Sequence, residues 1–343
     1  MSRHNPTRRR LIESLVASAV CGALAPPATS AAAVALLVDD ALSAYGFPAP
    51  HPFGRDRQAV FVAAIEDLLP QVSRLASRIA TRAELERFHD PAYVERVASA
   101  AAQGLDFLDR GDTPVFPAIY TAAACVVGSA LAGLDAIMTG SARYTFQPIG
   151  GLHHAARAAA SGFCVFNDIG VVIETLRAVH GVARIAYIDI DVHHGDGVFY
   201  AFEDDPELVF ADVHQDGATL FPGSGRADET GRGAARGTKL NVALPPRAGD
   251  AEFLAVWPAI EAHLERYAPA FFILQAGADG LAGDPLAQLE YSAAVHHHVT
   301  TRVQALAERH AAGRLMVFGG GGYGRKNLAQ AWRAVLIALL ART

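Results

Sequence analysis

Five residues that could do acid–base or metal chemistry fall within eight positions: Asp189, Asp191, His193, His194 and Asp196, at the end of the apolar run RIAYIDI. An unpaired buried carboxylate costs several kcal/mol or more, so a strand ending in such a cluster needs something to balance it. Positions 189, 191 and 193 alternate, so while the chain stays extended their side chains share one side. Asp191 and His193, joined by a third donor from another strand, would make a three-ligand N/O site with one open position. That is the arrangement of a catalytic metal and not of a closed structural one. Asp279, at the end of ILQAGAD, is the natural third donor. One Asp at a strand end would as readily cap a helix or pair with Arg. The run D-x-D-x-H-H-G-D-G together with a second Asp-ended strand is poorly explained that way. Two carboxylates and an imidazole suit Zn2+, and Fe2+, Co2+ or Mn2+ fit the same donors.

The elements that must hold these residues are visible in the hydrophobic pattern. Strands are predicted at VALLV (34–38), RIAYIDI (184–190), ELVFADV (207–213), KLNVAL (239–244), AFFILQA (270–276) and RLMVFGG (314–320). Their runs lack strict alternation, as strands covered on both faces do. Helical patterns at 116–138, 168–180, 250–267, 287–310 and 326–341 separate many of them, and Thr81 to Glu84 reads as a capping box. This alternation predicts one α/β domain over 34–343, three layers deep (α/β/α), around a mostly parallel sheet. Ligands of such sheets bind beyond the carboxyl ends of the strands. Three strands here run into chemistry there: IDIDVHHGDG, ILQAGADG and VFGGGGYG.

Composition removes several other functions. The chain has 343 residues, 51% hydrophobic, with formal charge −6, a mean hydropathy of +0.20 and an isoelectric point near 6.1. No basic face is visible beyond the first ten residues, which argues against nucleic acid as partner. Cys21, Cys125 and Cys164 contain no C-x-x-C pair, against both a disulfide framework and a zinc–thiolate site. No stretch reads as a membrane span. Residues 1–33 form an N-terminal extension in which TRRRLI resembles a twin-arginine export signal. A disordered extension on a cytoplasmic protein is the reading preferred, with periplasmic export as the alternative. His296, His297 and His298 lie in a helical pattern and are expected on a solvated face.

The blocks HDPAYVERV (89–97), GDTPVF (111–116), GGLHHA (150–155), GFCVFND (162–168), DIDVHHGDGV (189–198) and HQDGATLFPGSG (214–225) occur in order. LQAGADGLAGDPL (274–286) and GGGGYG (319–324) follow. In these the chain resembles the histone deacetylase and acetoin-utilisation superfamily, from Val34 to the C-terminus. The resemblance implies the arginase-deacetylase fold and places the metal on Asp191, His193 and Asp279. It implies that His153 and His154 act as general base and acid, each oriented by a carboxylate, Asp189 and Asp196 respectively. It makes Tyr323 the hydrogen-bond donor to the substrate carbonyl, and Phe163, Phe221 and Leu286 the walls of a tunnel with Asp112 at its rim. A structural K+ near Asp189 and Asp191 is also implied, although Asp212 stands where many relatives have Ser. Leu152, between Gly151 and the histidines, resembles the bacterial acetoin-utilisation branch. The implied activity is hydrolysis of an N-acetyl amide on a protein lysine, a polyamine or another small amine. The alternatives are an arginase-type binuclear ureohydrolase and a non-catalytic module that binds acetylated ligands. Homo-oligomerisation is left open.

Overall fold

Among the described residues, six strands form where the β-branched and aromatic runs lie, and two more, β2 and β3, form where those runs announce none: β1 (Val34–Leu36), β2 (Ser73–Arg74), β3 (Tyr144–Gln147), β4 (Ile185–Asp189), β5 (Leu208–Gln215), β6 (Lys239–Leu244), β7 (Phe271–Gln275) and β8 (Leu315–Phe318). This computed structural model describes residues 33–341, so the export-signal-like segment lies outside the described residues. Every strand pair is parallel, and the order across the sheet is β2-β1-β3-β8-β7-β4-β5-β6. The three strands that end in chemistry, β8, β7 and β4, are therefore adjacent at its centre.

Among the described residues, ten α-helices cover the two faces: α1 (Asp40–Ser43), α2 (Arg57–Ala64), α3 (Arg82–Leu85), α4 (Pro91–Ala100), α5 (Ile119–Met138), α6 (Asp168–Ala178), α7 (Asp196–Ala201), α8 (Asp250–Tyr267), α9 (Ala293–His310) and α10 (Arg325–Leu340). Strand residues alternate between two cores. Ile185, Tyr187, Phe271, Ile273, Met316 and Phe318 pack with α4, α5 and α6. Ala186, Ile188, Phe272, Leu274, Leu315 and Val317 pack with α2, α8, α9 and α10. Burial of apolar surface on both sides is what permits a parallel sheet. The predicted three-layer α/β/α architecture is the one observed.

Some differences from the sequence reading have simple causes. β3 escaped it because YTFQ is short and half polar; Gln147 is buried there, its amide donating to Val126 O (3.0 Å) and Ile149 O (2.9 Å). The Thr81–Glu84 capping box is present, but its helix, α3, is a single turn. Among the described residues, one helix, α5, is long and apolar enough to cross a membrane. It packs instead on α6 and β3. His296 is not solvated: it is wholly buried, and its Nε2 donates to Gly277 O at 2.7 Å. Only its neighbour His297 faces solvent freely.

Candidate active site

Strand β4 ends at Asp189, and the chain then bends, so the alternation expected through residue 193 breaks. Asp189 points towards the histidine loop while Asp191 and His193 turn towards β7. Asp191, His193 and Asp279 come together, all buried, with one candidate ligand atom each within 4.8 Å of the others. His193 Nδ1 lies 3.1 Å from Asp191 Oδ1 and 3.3 Å from Asp279 Oδ2.

The remaining oxygens of the two carboxylates are already committed. Asp191 Oδ2 accepts from Gln275 Nε2 (2.8 Å) and the Gly321 N–H (2.8 Å). Asp279 Oδ1 accepts from the Val192 N–H at 3.1 Å. Asp279 Oδ2 is buried with no hydrogen-bond donor. A Cβ on Gly321 would sit 2.0 Å from that same oxygen, so only glycine lets the β8 loop close over the trio.

The donor set fits a divalent cation. Without one, the two buried carboxylates can be balanced only by protons. Burial, reinforced by the charge of Asp191, pushes the Asp279 pKa up to about 7. Burial alone would lower that of His193, yet Asp191 and Asp279 pull it up to about 10. Three donors competing for protons at one point are what a bound dication would satisfy.

The histidine pair lies beside this trio. His153 Nδ1 donates to Asp189 Oδ2 at 2.7 Å and His154 Nδ1 to Asp196 Oδ1 at 2.6 Å. A carboxylate on Nδ1 fixes each tautomer and leaves Nε2 free for chemistry. The two Nε2 atoms are 3.1 Å apart, close enough to share one proton but not to carry one each without repulsion. Burial, and then the charge of His153, pull the His154 pKa down to about 4, so it stands neutral at pH 7. Asp189 also accepts from the Tyr187 hydroxyl.

The loop itself is pinned by groups outside the sequence reading. The Asp168 carboxylate accepts the Gly151 and Leu152 N–H groups, both at 2.8 Å. Asn167 Nδ2 donates to Ala155 O at 2.9 Å, and the Asn167 N–H donates in turn to His89 Nε2 at 2.9 Å.

Above the trio opens a cavity of about 220 Å³ lined by Asp112, His154, Gly162, Phe163, His193, Leu220, Phe221, Leu286 and Tyr323. All four candidate substrate residues thus border one space with Tyr323. Phe221 meets His154 edge-on (centroids 5.0 Å apart), as Phe163 meets Tyr323 (5.7 Å). Phe163 has a left-handed backbone, φ +68°, held by its N–H donating to Thr113 Oγ1 (3.2 Å) and by the Tyr45 hydroxyl donating to its carbonyl (2.7 Å). Burial, and next the charges of Asp279 and Asp191, hold the Tyr323 pKa well above its usual value, so the phenol keeps its proton as a donor.

Two further groups were not foreseen. Arg57 is fully buried, donating to Gly320 O (2.6 Å) and Gly322 O (3.1 Å) beneath the glycine-rich loop. Nothing in GRDRQ distinguishes it beforehand; its meaning comes from a contact 263 residues along the chain. Near the expected K+ position, Asp212 Oδ1 bonds His214 Nδ1 (2.7 Å) and Oδ2 accepts the Gly195 N–H (2.9 Å).

A parallel α/β sheet whose central strand ends gather a metal-ready trio, a carboxylate-backed histidine pair and a protonated phenol around one cavity defines a class of hydrolase. The comparison with known families agrees, for the Histone deacetylase domain model matches residues 51–339. The chain belongs to the histone deacetylase family. It is 34% identical over 305 residues to the acetoin utilization protein AcuC of Bacillus subtilis, covering 85% of this chain and 76% of that protein. A histone deacetylase-like amidohydrolase of Pseudomonas aeruginosa is 36% identical over 266 residues, 74% of this chain and 69% of its own. The crystal structure of the HDA15 HD domain superposes with a TM-score of 0.82 at 25% identity, covering 91% of this chain and 89% of that one.

Proposed function

We propose that the protein is a zinc-dependent deacetylase that hydrolyses an N-acetyl amide of a primary amine to the free amine and acetate. The observation that carries this reading is the convergence of Asp191, His193 and Asp279 beside two imidazoles whose Nε2 atoms lie 3.1 Å apart. A bound dication would supply Lewis acidity to the acetyl carbonyl and make the attacking water more acidic.

The chain's own residues would do the rest. Phe163 and Phe221 flank the stem of the acylated amine and exclude water from it, with Leu286 completing the wall and Asp112 at the rim accepting from the substrate backbone. The Tyr323 hydroxyl donates to the carbonyl oxygen as it gains negative charge, a contribution of a few kcal/mol to the barrier. With each Nδ1 donating to a carboxylate, the two facing Nε2 atoms can between them take the proton of the attacking water and deliver it to the leaving nitrogen. The C–N bond breaks as the C–O bond of acetate forms, and the proton count closes.

A binuclear ureohydrolase is less well supported. Asp189 and Asp196, the carboxylates a second ion would need, are engaged by His153 and His154. A single group of three donors is found among the described residues. A non-catalytic module would have no use for the histidine pair and the phenol. The test is acetate release from acetyl-lysine peptides, acetylpolyamines and small acetamides by protein loaded separately with Zn2+, Fe2+, Co2+ or Mn2+. Hydrolysis of one substrate class is expected. No release with any metal would overturn the assignment, and two tightly held ions per chain would favour the ureohydrolase.

A further inference from the structure

The run Gly319 to Gly322 ahead of Tyr323 has almost no side chains with which to fix its own path. Gly320 and Gly322 adopt φ +65° and +124°, and such a segment is conformationally permissive. A phenol that must stand over the substrate carbonyl therefore has to be positioned from outside. Arginines hold three carbonyls of this stretch, Gly320 O and Gly322 O by Arg57 and Tyr323 O by Arg325 Nη1 at 3.0 Å, while Gly319 O accepts from Trp332 Nε1 and Gly321 O from the Ala278 N–H. At Tyr323 itself the N–H is held by one carboxylate. Asp284, in the loop joining β7 to α9, accepts the Tyr323 N–H (2.9 Å) and the Gly324 N–H (3.1 Å) on Oδ2. Its Oδ1 accepts the Leu286 N–H at 3.0 Å.

Asp284 is 6% exposed and, among the described residues, forms no ion pair; its two oxygens are taken up by three backbone N–H groups. Charge-assisted bonds of this kind are shorter and stronger than neutral ones. One carboxylate thus fastens two sides of the cavity to each other, the Leu286 wall and the phenol.

We propose that Asp284 is a positioning residue for Tyr323, acting through the backbone of the glycine-rich loop to set where the phenol hydroxyl stands. The proposal rests on the reading of Tyr323 as the donor to the substrate carbonyl. The hydrogen bonds of Asp284 go to backbone N–H groups and to no ligand atom of the metal trio. Asparagine in its place can offer one oxygen but must turn its NH2 towards one set of N–H donors; alanine removes every acceptor.

The experiment is a double-mutant cycle of Asp284→Ala and Tyr323→Phe, with Asp284→Asn as the milder variant should the alanine protein fail to fold. In an otherwise unaltered chain, D284A is expected to lower kcat at least tenfold and D284N by less, with metal content unchanged. In the Y323F background either change should lower kcat less than twofold further, since the hydroxyl to be positioned is already gone. A full multiplicative loss in that background would show a role independent of Tyr323 and overturn the proposal, as would an unchanged kcat in D284A and D284N.

A second readout needs no turnover. With 3-fluorotyrosine incorporated, the residue 323 resonance, assigned by its disappearance in Y323F, should shift or broaden in D284N while the other tyrosine signals hold. An unmoved signal overturns the positioning role. A wild-type protein that hydrolyses no acetylated substrate, with the shift still present in D284N, counts against the deacetylase reading and leaves the positioning role supported.

Discussion

The floor and the mouth of the cavity are built on different terms. At the floor, Asp191, Asp279 and Asp189 are wholly or almost wholly buried, and all but one of their oxygens are bonded to or face a donor in the surrounding backbone and side chains. The groups come from the ends of two adjacent strands of one sheet, β4 and β7. At the mouth, Phe221 is 43% exposed and Leu286 37%, and the lining comes from loops far apart in sequence. Low dielectric and fixed dipoles give the floor its strength, and little there can move without leaving a buried charge unmet. The mouth loses only partial apolar contact when altered. On the proposed reading, chemistry is set below and preference for one acylated amine over another above.

The sharpest way to break this contrast is to remove a floor ligand. Asp191→Ala is expected to abolish stoichiometric metal binding and to lower activity by more than about a thousandfold, since a three-donor site cannot spare a ligand. Metal analysis of the purified variant checks it, and unchanged metal content would remove Asp191 from the set. Tyr323→Phe should lower kcat by about 10²–10³, the usual cost of one such donor, while metal content stays at the wild-type level. Equal loss of both would contradict the assigned role.

The floor should also respond to acid through its scaffold. His89 Nδ1 faces Arg157 O (3.2 Å) while its Nε2 accepts the Asn167 N–H, so protonating Nε2 would set two N–H groups against each other. Burial first holds the folded pKa down at about 4, against 6.5 for the free side chain. The unfolded chain then takes up the proton first, and stability is lost as pH falls from 6.5 through about 4. The loss reaches about 2 kcal/mol by pH 5 from this residue alone. Urea denaturation at pH 7 and pH 5 measures it, and His89→Gln should shrink the difference by about that amount; an identical difference in the variant would refute the assignment.

Mouth variants should do least. Phe221→Ala removes about 1–1.5 kcal/mol of apolar contact with the substrate stem, which raises KM roughly tenfold with kcat little changed. Asp112→Asn at the exposed rim should change KM less than about threefold. A kcat collapse in either would erase the division between floor and mouth.

The sequence announced the floor better than its supports. Asp191, His193 and Asp279 stand at the ends of apolar runs, where an acid is conspicuous, and the histidine doublet is marked by its glycines. The six principal strands were readable because burial on both faces leaves a continuous hydrophobic signature. What could not be read were partners whose role depends on long-range contact. Arg57, Gln275 and Asp284 have ordinary local surroundings, and each gains its meaning from a backbone group or a carboxylate that folding brings to it. β3 was missed because its buried Gln147 is satisfied by the backbone of α5 and of its own turn, pairings that periodicity does not encode. His296 was misplaced for a related reason: a buried imidazole with a carbonyl partner looks, as sequence, like any polar residue on a helix.

The backbone at Phe163 bears on how this protein could be altered by selection or by design. A residue with a Cβ held at φ +68° forgoes about 1–2 kcal/mol relative to a conformation it prefers. Glycine there would relax the main chain but delete the ring and its contacts with Phe47, His51, Phe53 and Tyr323, so relief of strain cannot be separated from loss of the cavity wall. Thermostabilised variants of this enzyme should therefore be screened for turnover at position 163 before any gain in melting temperature is accepted.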